Sequence, residues 1–159
     1  MERNSILIDE LRKSVFDDPW HGPSVKNIIN DISEEHALAH PVKNAHSIFE
    51  LVLHMWAWTE EVLSRLNGHP PQDPEAGDWP NPVGYNNDGW NVIKEKFFSS
   101  TVTLFNSLEK FPEDKLKNMV GGIRNPSLGT GISYEAMIHG LAQHNAYHAG
   151  QISLLKKYF

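Results

Sequence analysis

Apolar residues recur every three or four positions in five stretches of the chain, which is the spacing of one face of an α-helix. The first stretch is short and covers residues 5–16. The other four predict the core helices, which we number 1 to 4, at residues 24–39, 45–66, 88–111 and 133–157. No run of residues predicts a strand with comparable strength.

The connections between these helices predict their arrangement. Pro41 closes helix 1 shortly before helix 2 begins, so these two are expected to be antiparallel neighbours. Residues 67–87, rich in Pro, Gly, Asn and Asp, are long enough to travel the length of a bundle, so helices 2 and 3 can run parallel. The sequence therefore predicts an all-α fold. It is a four-helix bundle in up-down-down-up order, with a short extra N-terminal helix and a long crossover between helices 2 and 3.

Length and charge narrow the class of protein. A chain of 159 residues is large enough for one cored domain, so residues 1–159 are expected to form a single domain. The net charge of −6 argues against nucleic-acid binding, which usually needs a basic face. No apolar run approaches the roughly 20 residues that span a bilayer, and the first residues lack the apolar centre of a signal peptide. We expect a cytoplasmic protein without a membrane partner.

Two histidines occupy unusual positions in helix 4. His144 and His148 lie four residues apart, so their rings project from the same face of a helix. The same face carries the apolar residues Met137, Leu141, Ile152 and Leu155. The two histidines therefore stand where a bundle helix normally has leucine, and each buried ring needs a partner because an unpaired buried polar group costs roughly 1–3 kcal/mol.

His54 borders the apolar seam of helix 2 and can meet the helix 4 pair in the bundle interior. Since the chain has no cysteine, a metal site could use only nitrogen and oxygen ligands. Three imidazoles leave a fourth position open for water or substrate, as in catalytic zinc sites. The candidate metal ligands are His54, His144 and His148, and the same ligand set accepts zinc, nickel, iron, cobalt or manganese.

Other metal motifs fit less well. A zincin has glutamate directly after its first histidine, where this chain has Asn145, and ferritin-like sites need Glu-x-x-His pairs that are absent. His36 and His40 are expected to be solvated at a helix end. His46 and His69 are expected on the surface or in loops.

Four segments of the chain are similar to a known family. They are WHGPS at residues 20–24, HSIFELVLHM at 46–55, GDWP at 77–80 and HGLAQHNAYHAGQI at 139–152. In these segments the chain resembles the DinB-like (DinB/YfiT-like) superfamily of metal-dependent four-helix bundles, over about residues 20–155. The resemblance implies the same up-down-down-up bundle, often as a homodimer. It also implies a divalent metal on three histidines, which correspond to His54, His144 and His148.

The resemblance leaves the reaction open, since the superfamily includes hydrolases, thiol-dependent S-transferases and members without known activity. A bound metal can produce hydroxide from water near pH 7 or bind a thiol as thiolate. The thiol would come from a low-molecular-weight co-substrate because the chain has no cysteine. Our first hypothesis is a hydrolase or thiol transferase acting on a small molecule, with zinc or nickel preferred. The alternatives are a non-catalytic metal-binding or dimerisation bundle, and a plain bundle with hydrogen-bonded core histidines.

Several residues near the histidines have two interpretations. Glu50 is either the capping-box partner of Ser47 or a hydrogen-bond partner of a ring, and Gln151 could reach a ring or a bound ligand. Tyr147 is either a dimer-face residue or a hydrogen-bond donor. Residues that could line a pocket are Trp20, His21 and Trp58, although core packing is the favoured role of Trp58. The sequence names no general base.

Overall fold

The fold is described by a computed structural model that covers residues 2–85 and 89–159. Within these residues the chain is mostly helical, with six α-helices and one two-stranded sheet. The helices are α1 (Arg3–Val15), α2 (Val25–Ile29), α3 (Glu34–Leu38), α4 (Ile48–Leu66), α5 (Gly89–Lys110) and α6 (Tyr134–Leu155). The strands are β1 (Met119–Asn125) and β2 (Thr130–Ser133). Asp88, the predicted first residue of helix 3, lies outside the described residues.

The two helices that carry the candidate ligands begin at strong capping residues. Ser47 caps α4 in a complete capping box, since its side chain accepts from the Glu50 N–H and Glu50 accepts from the Ser47 N–H. Ser133 caps α6 by accepting from the Ala136 N–H. The predicted helices 2 and 4 are therefore confirmed, with starts set by their caps.

The N-terminal helix packs into the core, and its predicted role as a short extra piece is wrong. α1 buries Leu7, Leu11 and Val15 almost completely. It packs against α6 and α5, while α4 packs against α5 and α6. The four long helices are thus α1, α4, α5 and α6. Their apolar faces meet because each carries a stripe at helical spacing.

Helix 1, predicted over residues 24–39, is also wrong as a continuous helix. The segment forms two five-residue helices, α2 and α3. Ser33 separates them because its side chain caps α3 by accepting from the His36 N–H. A serine prefers this cap geometry to a helix interior, so the local cap outweighs the apolar periodicity that runs through the segment.

A β-hairpin stands between α5 and α6, where the sequence predicted only an irregular stretch. β1 and β2 pair antiparallel, with an irregularity between Val120 and Asn125. Gly131 has φ +70°, and a Cβ there would lie 2.5 Å from the Arg124 Cα. The close approach of the two strands requires glycines. These glycines interrupt the alternation of apolar and polar residues, so the sequence did not predict the strands.

The core has two apolar clusters, and α6 contributes to both of them. Leu141 belongs to one cluster, and Ile152 belongs to the other. His144 and His148 lie between these residues on the helix, so the histidines are placed where the two clusters meet. None of the helices in the described part of the chain is long and apolar enough to cross a bilayer.

Candidate metal centre

The three histidines that the sequence singled out lie together in the interior. His54 projects from α4, and His144 and His148 project from adjacent turns of α6. The Nε2 atom of His144 lies 2.9 Å from Nε2 of His54 and 3.0 Å from Nε2 of His148. One nitrogen from each ring lies within 4.8 Å of the others, so the group could hold a divalent metal ion.

Two of the rings are oriented by oxygen atoms on their outer side. Nδ1 of His54 lies 2.5 Å from the backbone carbonyl oxygen of Asp78. Nδ1 of His148 lies 2.6 Å from Oε1 of Gln151. Since a carbonyl oxygen only accepts, both Nδ1 atoms carry the ring proton, and each neutral ring turns the lone pair of Nε2 inward. The expected interaction of Gln151 with a ring is therefore present.

The His144 ring cannot donate a hydrogen bond to both His54 and His148. If Nε2 of His144 carries a proton, it can donate to only one of the two lone pairs that face it. If it carries none, three lone pairs converge. Nδ1 of His144 is buried and has no hydrogen-bond partner among the described residues. The three rings therefore cannot satisfy one another by hydrogen bonds alone. A divalent cation would accept the three nitrogen lone pairs that point inward.

Burial keeps these rings uncharged. It lowers the pKa of His144 to about 3, with further contributions from His148 and His54. Burial also lowers the pKa of His54 and His148, although the contact with Asp78 acts in the opposite direction for His54 and that with Gln151 for His148. All three imidazoles are therefore neutral at pH 7, which is the form that binds metals.

The crossover between α4 and α5 packs directly on the centre. The Trp79 ring lies between two imidazoles, 3.9 Å from His54 and 3.6 Å from His46, and is nearly parallel to both. The neighbouring Asp78 accepts from the indole N–H of Trp58 at 2.7 Å. His46 is exposed, as the sequence predicted, and its stacking on Trp79 is an additional contact. The GDWP segment was noted only as part of the resemblance, so these roles were missed.

A cavity of about 440 Å³ opens beside the centre, with His54 and His144 in its wall. Its other lining residues are Trp58, Val62, Arg65, Asp78, Pro126, Ser127, Gly129, Ile132, Met137, Gly140 and Leu141. Trp58 therefore faces a pocket, contrary to the favoured interpretation of core packing. Trp20 is fully exposed and, like His21, is not among the lining residues, so their expected pocket roles are wrong.

The remaining side chains near the centre have ordinary structural contacts. Glu50 serves the capping box and contacts His40 at 3.0 Å, and no contact with His54 is present. The capping interpretation of Glu50 is the one that the structure supports. Tyr147 is 65% exposed, and its hydroxyl accepts from Gln151 at 3.4 Å.

Comparison with known families decides the assignment. The sequence profile described as the DinB superfamily matches residues 24–152, which include all three histidines. This chain belongs to the DinB superfamily. No curated protein and no solved structure matches it. Membership of the DinB superfamily is compatible with metal binding by the three-histidine group, and confirms the resemblance found in the sequence.

Proposed function

We propose that this DinB-superfamily protein is a metal-dependent enzyme that acts on a small molecule, as a hydrolase or a thiol-dependent S-transferase. One observation carries the proposal: three inward Nε2 atoms meet at the wall of a cavity of about 440 Å³. His54, His144 and His148 would hold the ion. Zinc or nickel is preferred for three imidazoles, and iron or manganese also fit.

The protein residues around the ion have defined tasks. The Asp78 carbonyl and Gln151 fix the tautomers of His54 and His148, which keeps their Nε2 atoms available as ligands. A bound ion with an open position would supply either activated water or a thiolate. The thiolate would come from a low-molecular-weight co-substrate, because the chain contains no cysteine.

The cavity favours an enzyme over a non-catalytic metal-binding bundle. A structural metal needs four protein ligands and no adjoining space, whereas this group offers three and lies beside a pocket large enough for a small molecule. Asp78 is the carboxylate among the lining residues, so it is the candidate proton acceptor in the pocket.

Metal analysis of the protein purified without a histidine tag tests the metal. We expect close to one equivalent of zinc or nickel, lost in His144→Ala and kept in His69→Ala, which alters an exposed loop histidine. Less than a tenth of an equivalent, with no uptake of added metal, would contradict the proposal.

Activity is tested with an aryl ester and with a thiol plus a chloroarene electrophile. We expect turnover of one class, and we expect it to disappear in His144→Ala while the circular dichroism spectrum is kept. Full activity in that variant would exclude catalysis at this centre and leave the non-catalytic alternative.

We also propose a cytoplasmic homodimer and, with α1 in place of the predicted helix 1, an up-down-down-up order of α1, α4, α5 and α6. Tyr147 and Leu154 support an interface on α6, since both are more than 60% exposed and lie two turns apart on one face. Light scattering of the native protein and of Leu154→Glu tests the dimer. A monomeric mass for the native protein would contradict it.

A further inference from the structure

A buried ion pair holds Arg65 in the wall of the cavity next to the candidate metal centre. Arg65 and Glu61 are one turn apart on α4, and each side chain is only 2% exposed. Nε of Arg65 donates to Oε1 of Glu61 at 2.8 Å. The backbone N–H of Gln72 donates to the same oxygen at 2.9 Å, and the Gln72 carbonyl accepts from Nη2 of Arg65 at 3.3 Å. The guanidinium is therefore held in one orientation.

One nitrogen of this guanidinium retains unused donor capacity. In the described part of the chain, Nη1 of Arg65 has a single hydrogen-bond partner, the sulfur of Met137 at 4.0 Å. A thioether is a weak acceptor, and Nη1 carries two protons. Gly129 also lines the cavity, and a Cβ there would lie 3.8 Å from Nη1. The missing side chain leaves space for a ligand atom beside this donor.

The other residues of the cavity wall favour a ligand that is mostly apolar. Val62, Ile132, Met137 and Leu141 are apolar, and the ring of Trp58 lies 5.8 Å from the Arg65 guanidinium. A largely apolar pocket with one fixed polar group orients a ligand through that group. On α4, Arg65 is eleven positions beyond His54, about 16 Å along a helix. The group bound by Arg65 is thus separate from the group that reacts at the centre.

The charges around Arg65 favour a ligand whose hydrogen-bond acceptor is uncharged. Glu61 already compensates Arg65, and Asp78 adds a negative charge to the same wall. A carboxylate would find no uncompensated positive charge at Nη1, whereas a carbonyl oxygen needs only a donor. We propose that the cavity binds apolar small molecules that carry a neutral carbonyl, with Nη1 of Arg65 donating to its oxygen. This inference rests on the proposed function and names the substrate class of that site.

Three probes of nearly equal shape test the inference: acetophenone, ethylbenzene and benzoate. Their affinity is measured by calorimetry on the full chain, with and without one equivalent of zinc. The Nε–H resonance of Arg65 is followed by NMR in the same titrations. We expect acetophenone to bind at least about fivefold more tightly than either of the other probes, since a hydrogen bond from a charged donor exceeds 1 kcal/mol.

The variants remove the donor without leaving a buried charge unpaired. In the double variant Glu61→Gln/Arg65→Met, the preference for acetophenone over ethylbenzene should disappear while ethylbenzene still binds. Arg65→Lys keeps the charge near Glu61 but removes Nη1, the proposed donor, so it should lose the preference even if the double variant fails to fold. The matched control Met137→Leu removes only the weak acceptor, and the preference should remain.

The outcomes separate this inference from the proposed function. Metal uptake without a preference for acetophenone would overturn the inference and leave the metal centre intact. A preference that is present in metal-free protein and lost in Arg65→Lys supports the inference even if no metal is taken up. Benzoate as the tightest ligand, or a preference kept in Arg65→Lys, would also overturn it.

Discussion

Replacing His144 by leucine separates the stability of the metal-free fold from that of the metal-bound state. Leucine suits this position because the neighbouring residues of the α6 stripe are apolar. The replacement removes the buried Nδ1 atom, which has no partner among the described residues and costs about 1–3 kcal/mol. It also removes one possible hydrogen bond to a neighbouring ring, worth about 1 kcal/mol. In chelator, His144→Leu should therefore be as stable as the native protein, or up to about 2 kcal/mol more stable.

Added metal should reverse that order. An ion at a concentration of 100 times its Kd stabilises the folded state by about 2.7 kcal/mol. In a domain of this size, 1 kcal/mol shifts Tm by about 2–4 °C, so zinc should raise the native Tm by about 5–11 °C. Zinc should raise the Tm of His144→Leu by no more than nonspecific binding does.

The assay is a set of thermal unfolding curves recorded in chelator and in zinc, with His69→Ala as the matched histidine control. His69 is exposed, so this variant should behave as the native protein does. The reasoning is refuted if His144→Leu loses more than about 2 kcal/mol in chelator, because the ring would then be a satisfied structural group. It is also refuted if zinc stabilises His144→Leu as much as the native protein.

Four further changes probe the surroundings of the centre, the start of α4 and the hairpin. Gln151→Ala removes the acceptor for the Nδ1 proton of His148. It should weaken zinc affinity by about 10- to 100-fold in competition titrations. An unchanged zinc affinity would contradict this role of Gln151. Ser47→Ala should cost about 1 kcal/mol in urea unfolding at pH 7, through loss of the capping box. Burial raises the pKa of Glu50, but the hydrogen bonds from Ser47 and a histidine outweigh it, so the folded pKa is lowered. The ionised Glu50 therefore stabilises the fold fully above the unfolded carboxyl pKa of about 4.3, and this stabilisation is lost as the pH falls through the folded pKa. Glu50→Gln should destabilise the protein at pH 7 and have little effect near pH 2. Gly131→Ala should destabilise the protein by more than 1 kcal/mol, because its Cβ would overlap the opposite strand and its φ is +70°; an unchanged urea midpoint would contradict the hairpin geometry.

The two helices that carry the candidate ligands could be predicted because local and long-range signals agree in them. α4 has a capping box at Ser47 and a continuous apolar seam, so its start and its buried face follow from the same few residues. In α6 the apolar stripe itself carries His144 and His148, and this contradiction of the pattern pointed to the centre. A polar residue in an apolar stripe is therefore informative when its helix is otherwise well defined.

Prediction from the sequence is weaker where tertiary packing determines the structure. Glu61 and Arg65 are spaced as a surface ion pair, and only the hairpin and the crossover that cover them make them buried. The two short helices α2 and α3 were joined in the prediction because apolar spacing continues across Ser33, while the cap that breaks the helix is a single hydroxyl. Periodicity averages over a window and cannot resolve such a local interruption.

The crossover explains why the sequence predicted the candidate ligands but not the orientation of their rings. His54 is oriented by a backbone carbonyl, and any residue at position 78 supplies one, so no side-chain pattern encodes this contact. The neighbouring ring of Trp79 packs between His46 and His54 and holds that carbonyl in place. The tautomer of a ligand on α4 thus depends on a loop without periodicity, fixed by aromatic stacking. In such a site the sequence identifies the candidate ligands, whereas the folded crossover determines which nitrogen of His54 faces the other two rings.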